Sequence, residues 1–305
     1  MREKGLTVTD VLVVIVAMVL VVGIVTPGLN GARRRSARLV CQVNLLGIGR
    51  AMAVYAGDND GDFPRAGGED SIWSTRGKIR QWAVTPSGIL QDDEDGAFGI
   101  RRNGTTITTP GEATVTSSLY LLIKYASVTP AQFVCKGDGA KVFKIPASGA
   151  GSTLQLEEAW DFGAYHGGTK PMDAPGMCNS YAYNMPYTWP APDPSGTATL
   201  PTSFAVNNTF NPGNPVAADR NPHLDNRSEA DIDPHRNSAA HQGLGQNVLY
   251  KDGRVEWRKD VTCGIGGDNI YTYGGDPNGI IPENNGYGGP FGIYDTYLVS
   301  EKNYY

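Results

Sequence analysis

Three of the four histidines in this 305-residue chain, His223, His235 and His241, fall close together, with Asp225, Asp231 and Asp233 among them. Imidazoles and carboxylates are the groups that hold a divalent ion and activate its bound water in a hydrolase. The spacing matches no pattern such enzymes use, since the segment has no HExxH, no HxH and no nucleophile motif. Loop histidines engaged in local hydrogen bonds are the plainer reading. The alternative is a membrane-anchored periplasmic hydrolase or glycan-binding module built on residues 223–252. Asp58 to Asp62 (D-N-D-G-D) sets oxygens alternately around a glycine, as calcium loops do. Position six counted from Asp58 is Phe63 rather than glycine, so the EF-hand pattern fails and a polar turn remains. The cysteines, Cys41, Cys135, Cys178 and Cys263, have no C-x-x-C spacing, which argues against a zinc knuckle. In an exported domain some of them would pair. Four allow three connectivities, and Cys135 with Cys178 is the expected bridge because both lie in the globular part.

The element that must carry these residues lies at the N-terminus. Arg2 and Lys4 precede Gly5, and an apolar run starts at once. From Leu6 to Val25 the one strongly polar residue is Asp10, with Thr7 and Thr9 beside it. Twenty such residues, rising about 1.5 Å each, span roughly 30 Å, the thickness of a bilayer core. A secretory signal would end in a small-x-small cleavage site. This run ends in Thr26-Pro27-Gly28, and its small residue, Gly5, lies before it. Pro27, followed by Gly28 and Gly31, predicts a break or weak point in the helix, because proline removes a backbone donor and each glycine costs about 1 kcal/mol. Arg33, Arg34, Arg35 and Arg38 follow, placed to meet lipid phosphates or acidic groups of neighbouring copies. Helix resumes through Ala37–Tyr55. Cys41, Leu45, Ile48, Met52 and Tyr55 recur at alternating steps of four and three, a stripe that should pack on the rest of the chain. Gly57 is the expected C-cap, and the whole helix would be about 75 Å long.

A formal net charge of -5, with no basic surface beyond those arginines, excludes a nucleic-acid binder. Glycine (39) and proline (20) are abundant enough to favour a loop-rich β domain over a helical bundle. Ser117–Tyr125 reads as a short buried helix, and Thr105–Thr116 as two short strands. Alternation puts Tyr181 and Tyr183 on one face of a strand, as core. Asp252-Gly253 between two alternating runs predicts a two-residue type I′ hairpin turn, with Trp257 opposite Val248 and both on one face with Tyr250 and Val255.

The order basic–glycine–apolar at residues 2–6 resembles the class III leader of type IV pilins and type II secretion pseudopilins. Further segments are similar to pseudopilin-like proteins of the DUF1559 type, whose signatures include H-x9-DG. They are Cys41–Pro64 (C-Q-V-N-L-L-G-I-G-R-A-M-A-V-Y…G-D-F-P), Phe133-Val134-Cys135, Ser180-Tyr181-Ala182-Tyr183-Asn184, Ala218-Asp219-Arg220-Asn221, His241 with Asp252-Gly253, and Gly267-Asp268-Asn269-Ile270-Tyr271. Val43 and Lys136 depart from the pattern, and ten residues instead of nine separate His241 from Asp252.

The resemblance implies an α+β, pilin-like fold, with a long N-terminal helix packed on an antiparallel head with extensive loops. Residues 1–5 would be the leader, 6–57 the helix (membrane-spanning and filament core about 6–26) and 58–305 the head. It implies cleavage between Gly5 and Leu6, and a contact of Asp10 with the terminal ammonium of a neighbouring copy. Its partners would be the prepilin peptidase, an assembly platform, the inner membrane before assembly, and copies of itself in a filament outside the cell. No catalytic residue is implied. One calcium near the C-terminus is, for which Asp268, Asn269, Asp276 and Asn278 supply oxygens.

Overall fold

The computed structural model describes residues 7–66, 72–73, 112–113, 115–144, 156–158, 161–162, 175–186, 211–224, 233–274, 279–282, 290, 292 and 294–300. Gly5, Leu6, Asp225, Asp231, Asp276 and Asn278 lie outside them, as do residues 105–111 and the acidic run 91–96.

One helix, α1 (Val8–Asp58), makes up the N-terminal part. It starts on a capping box. The Thr7 side chain accepts from the Asp10 N–H, and the Asp10 carboxylate accepts from the Thr7 N–H at 2.9 Å and from the Thr7 hydroxyl at 2.7 Å. The break expected at Pro27 is not there: α1 runs through it without interruption. Proline withholds one N–H from the carbonyl four residues back, and the helical hydrogen bonds on either side bridge that single loss. Nor does Gly57 end the helix. Asn59 caps it, its N–H donating to Ala56 O and its amide to Tyr55 O, before the chain turns through positive φ at Asp60 and Gly61.

The head is a five-stranded sheet in the order β6-β5-β4-β3-β7, antiparallel throughout. Its strands are β3 (Tyr181–Asn184), β4 (Pro215–Asp219), β5 (Gln246–Tyr250), β6 (Val255–Arg258) and β7 (Leu298–Val299). A small parallel pair, β1 (Ile72–Trp73) with β2 (Glu112–Ala113), and the helix α2 (Val115–Ala126) complete the regular elements described. The chain is thus an N-terminal apolar helix joined to an antiparallel sheet, an α+β arrangement.

The buried stripe of α1 works as its periodicity predicts. Cys41, Leu45, Ile48 and Met52 are fully buried, with Tyr55 at the margin, and they share a core with Tyr181, Tyr183, Ala217, Leu249 and Val299 from the sheet. Leu119, Leu122 and Ile123 of α2 join the same core, so the helix expected at 117–125 is present and starts two residues earlier. The other face of the sheet, with Ala182, Ala218, Val248, Tyr250 and Leu298, closes over Val261, Cys263, Ile270 and Tyr271. Both faces are covered, which is why β3, β4 and β5 are buried at every position.

The β5–β6 hairpin differs from expectation by one residue. Leu249 pairs with Val255 and Asn247 with Trp257, while Val248 faces Glu256. The loop is three residues, Lys251–Gly253. The Gly253 N–H donates to Tyr250 O at 2.9 Å, and of the two turn residues only Gly253 has positive φ, +83°. That is a turn closed by a left-handed glycine, not the two-residue type I′ form. A shift of one residue moves a side chain to the opposite face. Trp257 therefore stands on the helix-facing side with Asn247, away from Val248.

Candidate functional site

Residues from four of the segments that carry the resemblance, far apart in sequence, meet at one buried point between α1 and the sheet. Cys41 comes from the packed stripe of α1. Cys135 follows the 3-10 turn Pro130–Phe133. Asp219 ends β4, His241 ends the 3-10 turn Ala239–His241, and Asn247 lies in β5. Cys41 and Cys135 form a disulfide, with Cα atoms 5.2 Å apart and a sequence separation of 94. The expected Cys135–Cys178 bridge is thereby corrected: Cys178 and Cys263 are buried and outside any disulfide. Burial pushes the Cys263 thiol up to about 12, which keeps it protonated and unreactive. The reason for the pairing lies in α1. It is an integral wall of the head rather than a separate stalk, and the Asn44 amide, donating to Val134 O at 3.0 Å, holds the segment before Cys135 against it.

Beside the disulfide, the His241 Nε2 lies 3.2 Å from Asp219 Oδ2 and 3.6 Å from Cys135 Sγ. Asp219 is completely buried. Its Oδ2 accepts the backbone N–H of Asn247 at 2.6 Å and the Asn247 side-chain amide at 3.2 Å. Its Oδ1 is buried, and no described residue gives it a hydrogen bond. The same Asn247 amide lies 3.4 Å from His241 Nε2 and from Arg38 O, which ties β5 to α1. The edge of the His241 ring meets Trp257 at a centroid separation of 5.4 Å, and the Arg38 guanidinium covers Trp257 at 4.6 Å. The stack Arg38–Trp257–His241 exists only because of the one-residue hairpin shift.

Gly137 completes the floor. Its N–H donates to Cys135 Sγ at 3.4 Å. A Cβ there would lie 2.0 Å from Ala240 O and 3.2 Å from His241 Nδ1, so only glycine lets the Cys135 turn approach the His241 turn this closely. A neighbouring tie is made by Arg220. Fully enclosed, it pairs with Asp138 at 3.0 Å and donates to Gly176 O and Asn179 O.

The described members of the histidine and aspartate cluster disperse. His241 joins Asp219, which lies outside the 223–252 segment. The His235 N–H donates to Asp233 Oδ1 on the exposed surface, and the His223 N–H donates to Asn221 Oδ1. These are the local hydrogen bonds of the plainer reading. The turn residue Asp252 is part of an exposed ion pair with Arg254.

Of the oxygens proposed for calcium, those of Asp268 and Asn269 are engaged at home. Asn269 accepts from the Tyr271 N–H and donates to Pro234 O, and Asp268 accepts from the Thr296 N–H at 2.6 Å. Burial pushes the Asp268 carboxyl up to about 7, against the Thr296 N–H, which pulls it down.

The arginines after the apolar run are also partly used by the head. Arg34 donates to the Gln242 side chain at 3.3 Å, and Arg38 covers Trp257. What sequence reasoning missed was Asp219. Its signal was the A-D-R-N segment, whose aspartate precedes two residues that turn inward, Arg220 and Asn221.

Comparison with protein-family models, with curated proteins and with solved structures finds no match for this chain.

Proposed function

We propose that this chain is a pilin-like subunit, inserted in the inner membrane by α1 and assembled through that helix into a type IV pilus-like or type II secretion-like filament. One observation carries the reading. Every large apolar side chain described from Val8 to Ile24 is 42–86% exposed, yet the same helix is packed into a folded head through Cys41, Leu45, Ile48 and Met52. An uncovered helix of this composition requires lipid or other copies of itself around it. The N-terminal helix is long and apolar enough to cross a membrane. Gly31–Asp58 reaches a mean hydropathy of 1.4, but a third of that window is buried against the head. Val8–Ile24 is the stretch left for the bilayer.

In this reading the chain does no chemistry of its own. Prepilin peptidase cuts it after Gly5, and the assembly platform draws the mature Leu6 terminus into the filament. Asp10 then meets the ammonium of a neighbouring copy in place of its capping contact with Thr7. Mass spectrometry of assembled material decides the first step: a Leu6 terminus is expected, and an intact Met1 terminus overturns it. Gly5→Glu is expected to block the cut. Asp10→Ala is expected to insert normally, or better by roughly 2.5–3.5 kcal/mol if the site lies deep in lipid, and to assemble poorly. Wild-type filament yield from this variant would remove Asp10 from the assembly contacts.

A further inference from the structure

Cys41, Cys135, Asp219 and His241 are all buried, and each offers one ligand atom, with these atoms all within 4.8 Å of one another. Among the described residues this is the one such group. We propose that it is a two-state site: closed as the Cys41–Cys135 disulfide in the oxidised chain, and open in the reduced chain as a site in which both thiolates, the imidazole and the carboxylate hold a single zinc-type divalent ion. The inference does not rest on the filament reading.

The donor set fits that class of metal. Two thiolates and an imidazole select a borderline-soft ion, and one carboxylate oxygen completes four-coordination. A tetrahedral site with metal–sulfur bonds of about 2.3 Å and metal–nitrogen or –oxygen bonds of about 2.0–2.2 Å has ligand–ligand edges of roughly 3.3–3.8 Å. The separation of 3.6 Å from Cys135 Sγ to His241 Nε2 is already near those edges, and Nε2 lies 3.2 Å from Oδ2, the partner oxygen of the Asp219 carboxylate.

Three further observations point to a ligand. The first is the orphaned Asp219 Oδ1, an oxygen buried at a cost with nothing to accept from. Because Oδ2 is held by Asn247, Oδ1 is the atom with a lone pair to give. The second is the position of His241 Nε2, within 3.4 Å of an amide donor on Asn247 and 3.2 Å of an acceptor on Asp219. One ring nitrogen cannot donate to the second while accepting from the first. The Asn247 amide has Asp219 Oδ2 and Arg38 O for its two N–H groups, so Nε2 is left to the Asp219 carboxylate or, in the reduced chain, to a cation that takes its lone pair and that carboxylate together. The third is the Gly137 N–H aimed at Cys135 Sγ, a hydrogen bond that favours the thiolate over the thiol.

The chemistry balances in two steps. A dithiol reductant gives two electrons and two protons to the S–S bond, yielding two cysteine thiols and its own disulfide. The metal then displaces both thiol protons to the solvent and binds the thiolates. The chain crosses a boundary between reducing and oxidising compartments if it is exported, and the two states would belong to the two sides.

The test uses the full chain in detergent micelles. Anaerobic reduction by a phosphine, itself oxidised to the phosphine oxide with oxygen from water, is followed by zinc addition and removal of excess, with elemental analysis of the protein. About one zinc per reduced chain is expected, and none on the oxidised chain. Cobalt in place of zinc is expected to give a thiolate-to-cobalt charge-transfer band and the intense visible bands of a tetrahedral site. His241→Gln and Asp219→Asn are each expected to weaken binding by more than about tenfold, the least that losing a direct ligand should cost when outer-sphere partners cost that much. Cys178→Ala and Cys263→Ala are expected to leave it unchanged. A reduced, folded chain that takes no zinc, or zinc uptake that is equal in His241→Gln, overturns the proposal. If reduction alone unfolds the head, refolding by zinc followed through circular dichroism supports the site, and failure to refold overturns it.

Discussion

The two halves of α1 are both helical and both carry apolar stretches, and they are opposite in circumstance. In the half nearer the C-terminus, the side chains at four- and three-residue steps are buried against β4, β5 and α2, and the backbone is drawn in close. A Cβ on Gly49 would lie 2.7 Å from Leu249 Cδ1, and one on Gly47 would lie 3.0 Å from the Gln132 amide. In the other half, the apolar side chains face outward on every side, and a Cβ on Gly23, Gly28 or Gly31 would meet nothing within 4 Å. A glycine in a helix costs about 1 kcal/mol against alanine. Gly49 offsets that cost with close packing inside one chain. For the glycines of the uncovered half, in the proposed reading, the offset comes only when lipid or neighbouring helices arrive. Hydropathy alone does not distinguish a buried wall from an uncovered anchor. The packing of the partner surface does.

Five perturbations break or sharpen this contrast, and the first four are read by unfolding of the head in detergent. The largest effect is expected from Leu45→Ala, which removes a fully buried side chain and should cost about 2–5 kcal/mol, whereas Leu12→Ala in the exposed half should leave the head unchanged. Equal losses would mean that the upper helix is also part of the head's core.

Next comes Gly49→Val. Overpacking against Leu249 should cost about 1–3 kcal/mol. Gly253→Val should cost a similar amount for a different reason. Open space surrounds its Cβ, so the penalty is the positive φ alone, about 1–3 kcal/mol for a β-branched residue. A neutral Gly253→Val would contradict the left-handed turn.

A smaller effect concerns pH and belongs to the head alone. The folded-state Asp268 carboxyl titrates near 7, against an ordinary value of 3.8. The folded chain therefore holds a proton that the unfolded chain has lost between these values. Stability falls as pH rises through that window, by the linkage relation, and is level above it. Asp268→Asn should flatten the melting temperature between about pH 4 and pH 7. An unchanged slope would assign it to another group.

The smallest effect is Gly28→Ala. With no neighbour to strike, it should leave the head unaltered and stiffen the upper helix by up to about 1 kcal/mol, measured by circular dichroism in micelles. A clear loss of filament yield from this variant would show that a neighbouring helix packs against Gly28.

By itself the amino-acid sequence determined whatever depends on neighbours along the chain. The stripe Cys41–Leu45–Ile48–Met52 is legible because a helix repeats every 3.6 residues and burial follows that period. Tyr181 and Tyr183 declare a strand face by alternation, and Asp252-Gly253 declares a reversal because few residues accept left-handed φ. Tertiary structure decided what depends on distance in space. Cys41 found Cys135 across 94 residues because α1 is a wall of the head, and no spacing rule contains that. The hairpin closed with three residues instead of two, and this single step carried Trp257 across the sheet to stack on His241. Asp219, Cys135 and His241 are distant in sequence and adjacent in the fold. Their meeting is set by strand order and by the absence of a side chain on Gly137, where a Cβ would collide with Ala240 O at 2.0 Å. Periodicity reports which face of an element is buried. Which other face it is buried against is settled only when the whole core packs at once.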